Sequence, residues 1–265
     1  PTVIDYACGA GHFLIEAVEA INYFRQEKNT SWARDCIFGI EKDYRLARVA
    51  KISLFMHGAG DANIVFGEGL DSHPDKQIQD KKFSILVANP PYSVQGFKPH
   101  LKLKNKDAFS VLPKISDEGS EIECLFVERI AQALEAGGVA AVILPSSILS
   151  NNSNSYVAAR ENILQHFMIR AIVSLGSGTF SETGTNTVTL FLQKYDEMPK
   201  MASLCEDCVS SIFASCGREA EFRNWKDKEI YQAFLTAIGV SASDYERFLK
   251  EEYSYDELCN LDASL

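Results

Sequence analysis

Phe83-Ser84-Ile85-Leu86-Val87-Ala88-Asn89-Pro90-Pro91-Tyr92 is an apolar run that stops at an amide, two prolines and an aromatic ring. The stretch from Phe83 to Ala88 reads as a strand buried in a parallel sheet. Pro90 and Pro91 carry no N–H and fix their own φ, so the chain leaves the strand on a rigid backbone. The Pro90 carbonyl is thereby held in place as an acceptor, and the Asn89 carboxamide oxygen is a second acceptor beside it. Tyr92 adds a flat face on which a ring stacks. Two acceptors and a stacking face suit an exocyclic amino group on a planar substrate. The chemistry this implies is methylation of an amino nitrogen. A Pro-rich turn closing a strand accounts for Pro-Pro alone, but not for the Asn before it and the Tyr after it.

Working outward, the upstream half alternates strands and helices. Strands are predicted over 1–5, 36–41, 63–66 and 83–88, with helices over 13–24 and 44–57. Residues 93–120 form a long polar loop, which is unusual in a compact domain unless it has a task. An amphipathic helix follows over 122–134, with Gly137-Gly138 as its expected C-cap. Further strands are predicted over 139–144, 168–175 and 187–192, and a helix over 156–165. Strand–helix alternation means a mostly parallel sheet covered on both faces. The last two strands are joined by a Gly/Ser/Thr loop and should pair antiparallel at one edge, since a parallel return needs a longer crossover.

Composition narrows the class. The 265 residues, 46% hydrophobic and 23% charged, suit one large α/β domain with an appendage. No apolar run approaches a membrane span, and there is no export signal, so a cytoplasmic protein without a membrane partner is expected. The seven scattered cysteines fit reduced thiols. Cys205-x-x-Cys208 with Cys216 invites a zinc reading, but a fourth ligand is missing nearby and no metal is expected. The net charge of −10 argues against a simple nucleic-acid-binding surface. Residues 196–265 hold 15 acidic and 7 basic residues, which leaves the first 195 close to neutral. Within that part, Lys98, His100, Lys102, Lys104 and Lys106 crowd the loop after Tyr92. They suit phosphates or a solvated charge run equally well.

The other end of the site lies at Asp5-Tyr6-Ala7-Cys8-Gly9-Ala10-Gly11, between the first strand and the first helix. Glycine there permits a tight turn and close approach of a ligand to the backbone. The full dinucleotide fingerprint is absent, because Phe13 and Leu14 fill its second half. Glu41, at the end of the second strand, is placed either to accept ribose hydroxyls or to cap a helix. Glu68, in Gly67-Glu68-Gly69-Leu70, either accepts from an adenine amino group or decorates a surface turn.

Taken together, Asp-x-Ala-Cys-Gly-x-Gly-x-Phe-Leu, the acidic end of strand two, the acidic turn after strand three and Asn-Pro-Pro-Tyr resemble the S-adenosylmethionine-dependent DNA adenine-N6 methyltransferases. The likeness is to the modification subunit of type I restriction–modification systems and related type II enzymes, and it covers about residues 2–195. The stretches at 46–58 and 137–145, and Phe180 followed by 187–194, resemble that family's second helix, fifth strand and final hairpin. The resemblance implies a class I, Rossmann-like α/β fold. It has a mostly parallel seven-stranded sheet, an antiparallel edge hairpin and a small, mainly helical C-terminal segment. Residues 1–195 would be the catalytic domain and 196–265 an acidic extension.

By the same resemblance, Asp5, Ala7, Gly9 and Gly11 shape the methionine pocket of S-adenosyl-L-methionine, Glu41 holds the ribose, Glu68 and Leu70 the adenine end, and Asn89 borders the cofactor. Asn89, Pro90, Pro91 and Tyr92 form the catalytic quartet, and Tyr92 and Phe180 stack on an adenine flipped out of DNA. A separate specificity subunit or domain, and a restriction subunit, are the implied partners. The family usually has Pro, Ser and Gly where this chain has Tyr6, Ala10 and His12, and Asp where it has Glu68. His12 is expected to narrow the methionine pocket or touch its carboxylate. The family also places a helical segment before the first strand, so a piece of a longer protein is expected. The competing readings are a protein-glutamine or RNA amino-methyltransferase, and a non-catalytic scaffold.

Overall fold

The computed structural model describes residues 1–197 except 27, 105, 177, 178 and 180–185, together with 241, 243 and 247. The chain divides into two compact units, Pro1–Met198 and Pro199–Leu265, and the description below concerns the first. The helical C-terminal segment expected above lies almost wholly outside the described residues, as do Cys205, Cys208 and Cys216.

The strands are β1 (Val3–Asp5), β2 (Ile37–Glu41), β3 (Asn63–Phe66), β4 (Phe83–Ala88), β5 (Leu134–Pro145), β6 (Phe167–Ser174) and β7 (Thr187–Lys194). The helices are α1 (His12–Arg25), α2 (Ala33–Cys36), α3 (Tyr44–Met56), α4 (Ile122–Ala133), α5 (Ser147–Ser150) and α6 (Asn154–His166). All seven strands form one sheet in the order β3-β2-β1-β4-β5-β7-β6. The first five run parallel, and β7 runs against both β5 and β6, so the last two strands pair antiparallel as expected.

Apolar periodicity explains the layers. Leu14 and Val18 of α1 and Ala47, Ala50 and Leu54 of α3 bury one face with Val3, Ile37 and Ile64. On the other face α4 and α6 pack over Ile4, Leu86, Ala140, Val142, Leu190 and Leu192. The chain moves outward from β1 through β2 to β3, then returns to β4 on the other side of β1. That reversal opens a crevice at the carboxyl ends of β1 and β4, where ligands of open α/β sheets bind.

Two expectations are corrected. The helix α4 ends at Ala133, and Gly137-Gly138 lies inside β5 rather than capping it. Phe83 pairs with Leu134 and Ile85 with Val139, so β5 carries a bulge there, and Gly137 at φ 72° supplies its left-handed turn. Nor is α4 amphipathic, because every residue except Gln132 is buried. Its outward face is covered by the segment 93–120, whose Phe97, Leu101, Leu103, Phe109, Val111, Leu112 and Ile115 join the same core. Polar residues of that segment alternate with these anchors, which hid the packing. Glu128 of α4, itself buried, receives N–H groups from Ser110 at 2.7 Å and Val111 at 3.1 Å and so pins the segment to the helix. Arg129 is buried beside it and pairs with Asp80 at 2.7 Å. Among the described residues no helix is long and apolar enough to cross a membrane.

Candidate active site at the carboxyl edge of the sheet

Each wall of the crevice grows from the end of a strand. After β1 the chain turns sharply: Cys8 donates its N–H to Ile40 O at 3.0 Å, which ties the turn to β2. Gly11 ends the turn at φ 88°, and a side chain there would press on Ala50 Cβ at 3.2 Å, so glycine lets α1 and α3 approach. After β3, Gly69 passes so close to the end of β1 that a Cβ would lie 2.1 Å from the Tyr6 carbonyl oxygen. Only glycine fits there. The Tyr6 ring is buried, packs 5.1 Å from Phe126 and donates its hydroxyl to Phe126 O at 3.2 Å. The tyrosine thus ties the end of β1 to α4.

The acidic rim is held by backbone donors. Glu41 accepts the Gly9 N–H at 2.8 Å on one oxygen and the Asp43 N–H at 2.7 Å on the other. A carboxylate has roughly four lone-pair sites, so Glu41 keeps acceptor capacity while its orientation is fixed. Asp43 caps α3 by accepting from the Arg45 and Leu46 N–H groups; the Arg45 side chain, and after it these capping bonds, hold its carboxyl below the usual range. Glu68 is paired with Lys42 at 2.7 Å.

The opposite rim is Asn89-Pro90-Pro91-Tyr92. Pro90 is buried, Pro91 is exposed and Tyr92 is half-buried. Asn89 Oδ1 is a buried acceptor that no donor among the described residues reaches. Such an atom is costly to leave dry, and its partner is expected to come from outside the chain.

Between the rims lies an open cleft of about 840 Å³, a size typical of small-molecule sites. Tyr6, Ala7, Glu41, Glu68, Asn89, Pro90, Pro91 and Tyr92 all line it, so two motifs far apart in sequence meet in one space. Asp5, Gly9, Gly11 and Leu70 do not line the cleft. Asp5 is buried beneath it and accepts the Ala7 N–H at 2.9 Å; burial pushes its carboxyl up to about 7, against the pull of that bond, and Glu41 adds to the rise. Gly9 acts through its bond to Glu41, and Leu70 is a fully buried core residue. His12 is exposed and is not among the residues that line the cleft. Phe180 lies outside the described residues.

Several lining residues escaped the reading of the sequence. Lys42, Asp43, Gln95, Gly96, Phe97, Ile122 and Phe126 all contribute, and His100 of the basic loop, which the sequence did single out, joins them. Only the position of Lys42 and Asp43 directly after Glu41 could have signalled them. The rest come from the segment 93–120 and α4, which tertiary packing brings over the crevice.

With its crevice at the switch point, carboxylates at one end and Asn-Pro-Pro-Tyr at the other, the seven-stranded sheet has the class I, Rossmann-like fold of methyltransferases. Comparison with known proteins makes this specific. The model of the family described as N-6 DNA Methylase matches residues 1–257, and the chain belongs to that family. It is similar to the type II restriction enzyme and methyltransferase RM.Eco57I of Escherichia coli, 26% identical over 72% of this chain and 24% of that protein. It also resembles the type I MpnII methylase subunit of Mycoplasma pneumoniae, 25% identical over 72% of this chain and 35% of that one. The chain therefore spans about a quarter to a third of the length of these relatives. Among solved structures, the M protein of the type I restriction enzyme EcoKI shares the fold, with a TM-score of 0.58 and 22% identity over 73% of this chain and 39% of that chain.

Proposed function

We propose that this chain is the catalytic part of an enzyme that methylates the N6 amino group of adenine in DNA, within a restriction–modification system. S-adenosylmethionine is the cofactor we assign to the crevice, and it would supply an electrophilic methyl group. The observation that carries the reading is the unpartnered Asn89 oxygen in a cleft that continues to Glu41.

The residues fit that ligand. Glu41 has lone pairs free for ribose hydroxyls, and the Ala7 region gives the close backbone approach a methionine moiety needs. Glu68 serves the adenine end if its bond to Lys42 is exchanged for the ligand's amino group. At the reacting end, Asn89 Oδ1 and the Pro90 carbonyl accept the two hydrogens of N6. This draws the nitrogen from planar toward tetrahedral geometry and turns its lone pair toward the cofactor end of the cleft. N6 is unprotonated at neutral pH, so no base is needed beforehand; the new N–C bond would form as the cofactor's S–CH3 bond breaks to leave a neutral thioether, and the acidic N6 cation then gives its proton to water. The catalytic work is orientation and fixed acceptor placement.

The target base must leave the duplex, at a cost of a few kcal/mol. Stacking on Tyr92, and on Phe180 as the resemblance implies, returns about 1–3 kcal/mol per face. In the segment 93–120, His100, Lys102, Lys104 and Lys106 are exposed between the buried anchors Leu101, Leu103 and Phe109. This row starts at the cleft, which His100 lines, and suits the phosphates beside the flipped base. We take residues 1–195 as the catalytic domain and 196–265 as an acidic extension. Two of the relatives are a methylase subunit and a fused restriction enzyme and methyltransferase. By analogy, target recognition and cleavage here would come from further subunits or domains, in the cytoplasm.

The direct test incubates the full-length protein and its partner subunits with duplex DNA and S-adenosylmethionine, followed by nucleoside mass spectrometry. N6-methyldeoxyadenosine is the expected product. Methylated glutamine in a release-factor-like peptide, methylated RNA, or no product from any substrate would overturn the reading.

A further inference from the structure

We propose that Glu123 is a positioning residue for this reaction. It holds the left-handed bend at Ser93, and through that bend it sets where Tyr92 and the Pro90 carbonyl sit. The inference rests on reading Asn89 to Tyr92 as the reacting site.

Ser93 follows Tyr92 directly and has φ 56°, a backbone state that side-chain-bearing residues rarely adopt. Glycine would take it freely, yet the nearest glycine is Gly96. What holds the bend is a directional bond: the Ser93 N–H donates to Glu123 Oε2 at 3.0 Å. Glu123 lies in the first turn of α4 and is fully buried. Its other oxygen accepts the Tyr156 hydroxyl of α6 at 2.6 Å, and that hydroxyl in turn accepts from Ser147 Oγ of α5 at 3.3 Å. One relay therefore connects the exit of the Asn-Pro-Pro-Tyr segment to three helices.

No salt bridge among the described residues neutralises Glu123. Its neutralising influences are donors and the amino end of α4. A buried carboxylate held this way is an expensive packing element, and an apolar side chain would fill the same space at lower cost. The arrangement makes sense if the bend it fixes must be exact in place. A shift of the Tyr92 ring or the Pro90 carbonyl by about 1 Å is enough to lose about 100-fold in rate.

The test compares Glu123→Ala, Glu123→Gln and Glu123→Ala with Ser93→Gly, all in the full-length protein. Glu123→Ala should lower kcat by about 100-fold and leave S-adenosylmethionine affinity within about twofold. Amide exchange across 92–97 should rise. Adding Ser93→Gly should restore kcat by at least about tenfold, because glycine takes the bend without an anchor. Glu123→Gln keeps one acceptor for Ser93 and a donor toward Tyr156, and should retain more activity than the alanine variant. It also keeps the test open if the alanine variant does not fold. Unchanged kcat in both single variants would overturn the proposal. So would a loss that tracks melting temperature and is not rescued by Ser93→Gly. If the wild-type protein methylates no adenine, the reading of the site fails instead. Amide exchange then decides the bend alone, and unchanged exchange across 92–97 in the Glu123 variants would overturn the positioning role.

Discussion

Among the described residues no donor reaches the buried Asn89 Oδ1, and such an atom left unpaired costs about 1–3 kcal/mol. In our account the cost is recovered when an N6 hydrogen reaches it. Asn89→Ala should therefore lower single-turnover methyl transfer by about 100- to 1,000-fold, while calorimetry shows cofactor affinity within a few-fold. An equal loss of both would mean that the residue builds the pocket rather than aligning the amine. Tyr92→Ala should weaken capture of the flipped base, read by 2-aminopurine fluorescence, whereas Tyr92→Phe should be nearly silent because the ring does the stacking. Asp5 gives a prediction for stability. Its folded-state carboxyl sits at about 7 and the unfolded value is 3.8, so the folded state keeps its proton to higher pH than the unfolded chain. Stability should then fall as pH rises from about 4 to about 7, by on the order of 4 kcal/mol, and level off above. Urea titrations at pH 5 and pH 8, which span the upper part of that range, should show a drop of about 2–3 kcal/mol in the wild type and a much smaller one in Asp5→Asn.

At the level of elements, the strands and the antiparallel pairing of the last two were legible because each rests on a local signal, whereas their order in the sheet was not read. Glycines follow β1, apolar runs mark β2 to β4, and a Gly/Ser/Thr connection with no helical pattern suits β7 running against β6. The segment 93–120 was legible as long and polar, but not as a wall of the core. Its anchors Phe97, Leu101 and Phe109 are spaced irregularly, and their burial depends on α4 beneath them. The boundary between α4 and β5 was misplaced for a related reason. Pairing with Phe83 extends the strand back to Leu134, and the glycines that read as a helix cap serve a bulge. The pairing of Glu68 with Lys42 and the buried state of Glu123 and Glu128 carry no periodic trace at all. The exposed lysines of this segment make their own prediction. Lys102, Lys104 and Lys106 together changed to Gln should flatten the salt dependence of DNA binding, by roughly 0.9 in log–log slope for each phosphate no longer neutralised. An unchanged slope would remove this segment from the DNA interface.

For the whole molecule, two half-sites made by different parts of the chain converge because the sheet reverses its strand order between β1 and β4. The glycine turn and Glu41 come from one side of the reversal, and Asn89 to Tyr92 from the other. Family membership extends over residues 1–257, beyond the stretch whose motifs could be read in the sequence. The relatives are about three to four times longer than the matched region, so the reaction is best tested in the complete system. The most direct measurement is base-modification sequencing of DNA from cells carrying the full-length gene and its neighbours, beside an Asn89→Ala strain. N6-methyladenine at one defined sequence is expected in the wild type, with its disappearance in the variant. Undiminished methylation in the variant, or none in either strain, would overturn the role assigned to Asn89 and the reading of the site.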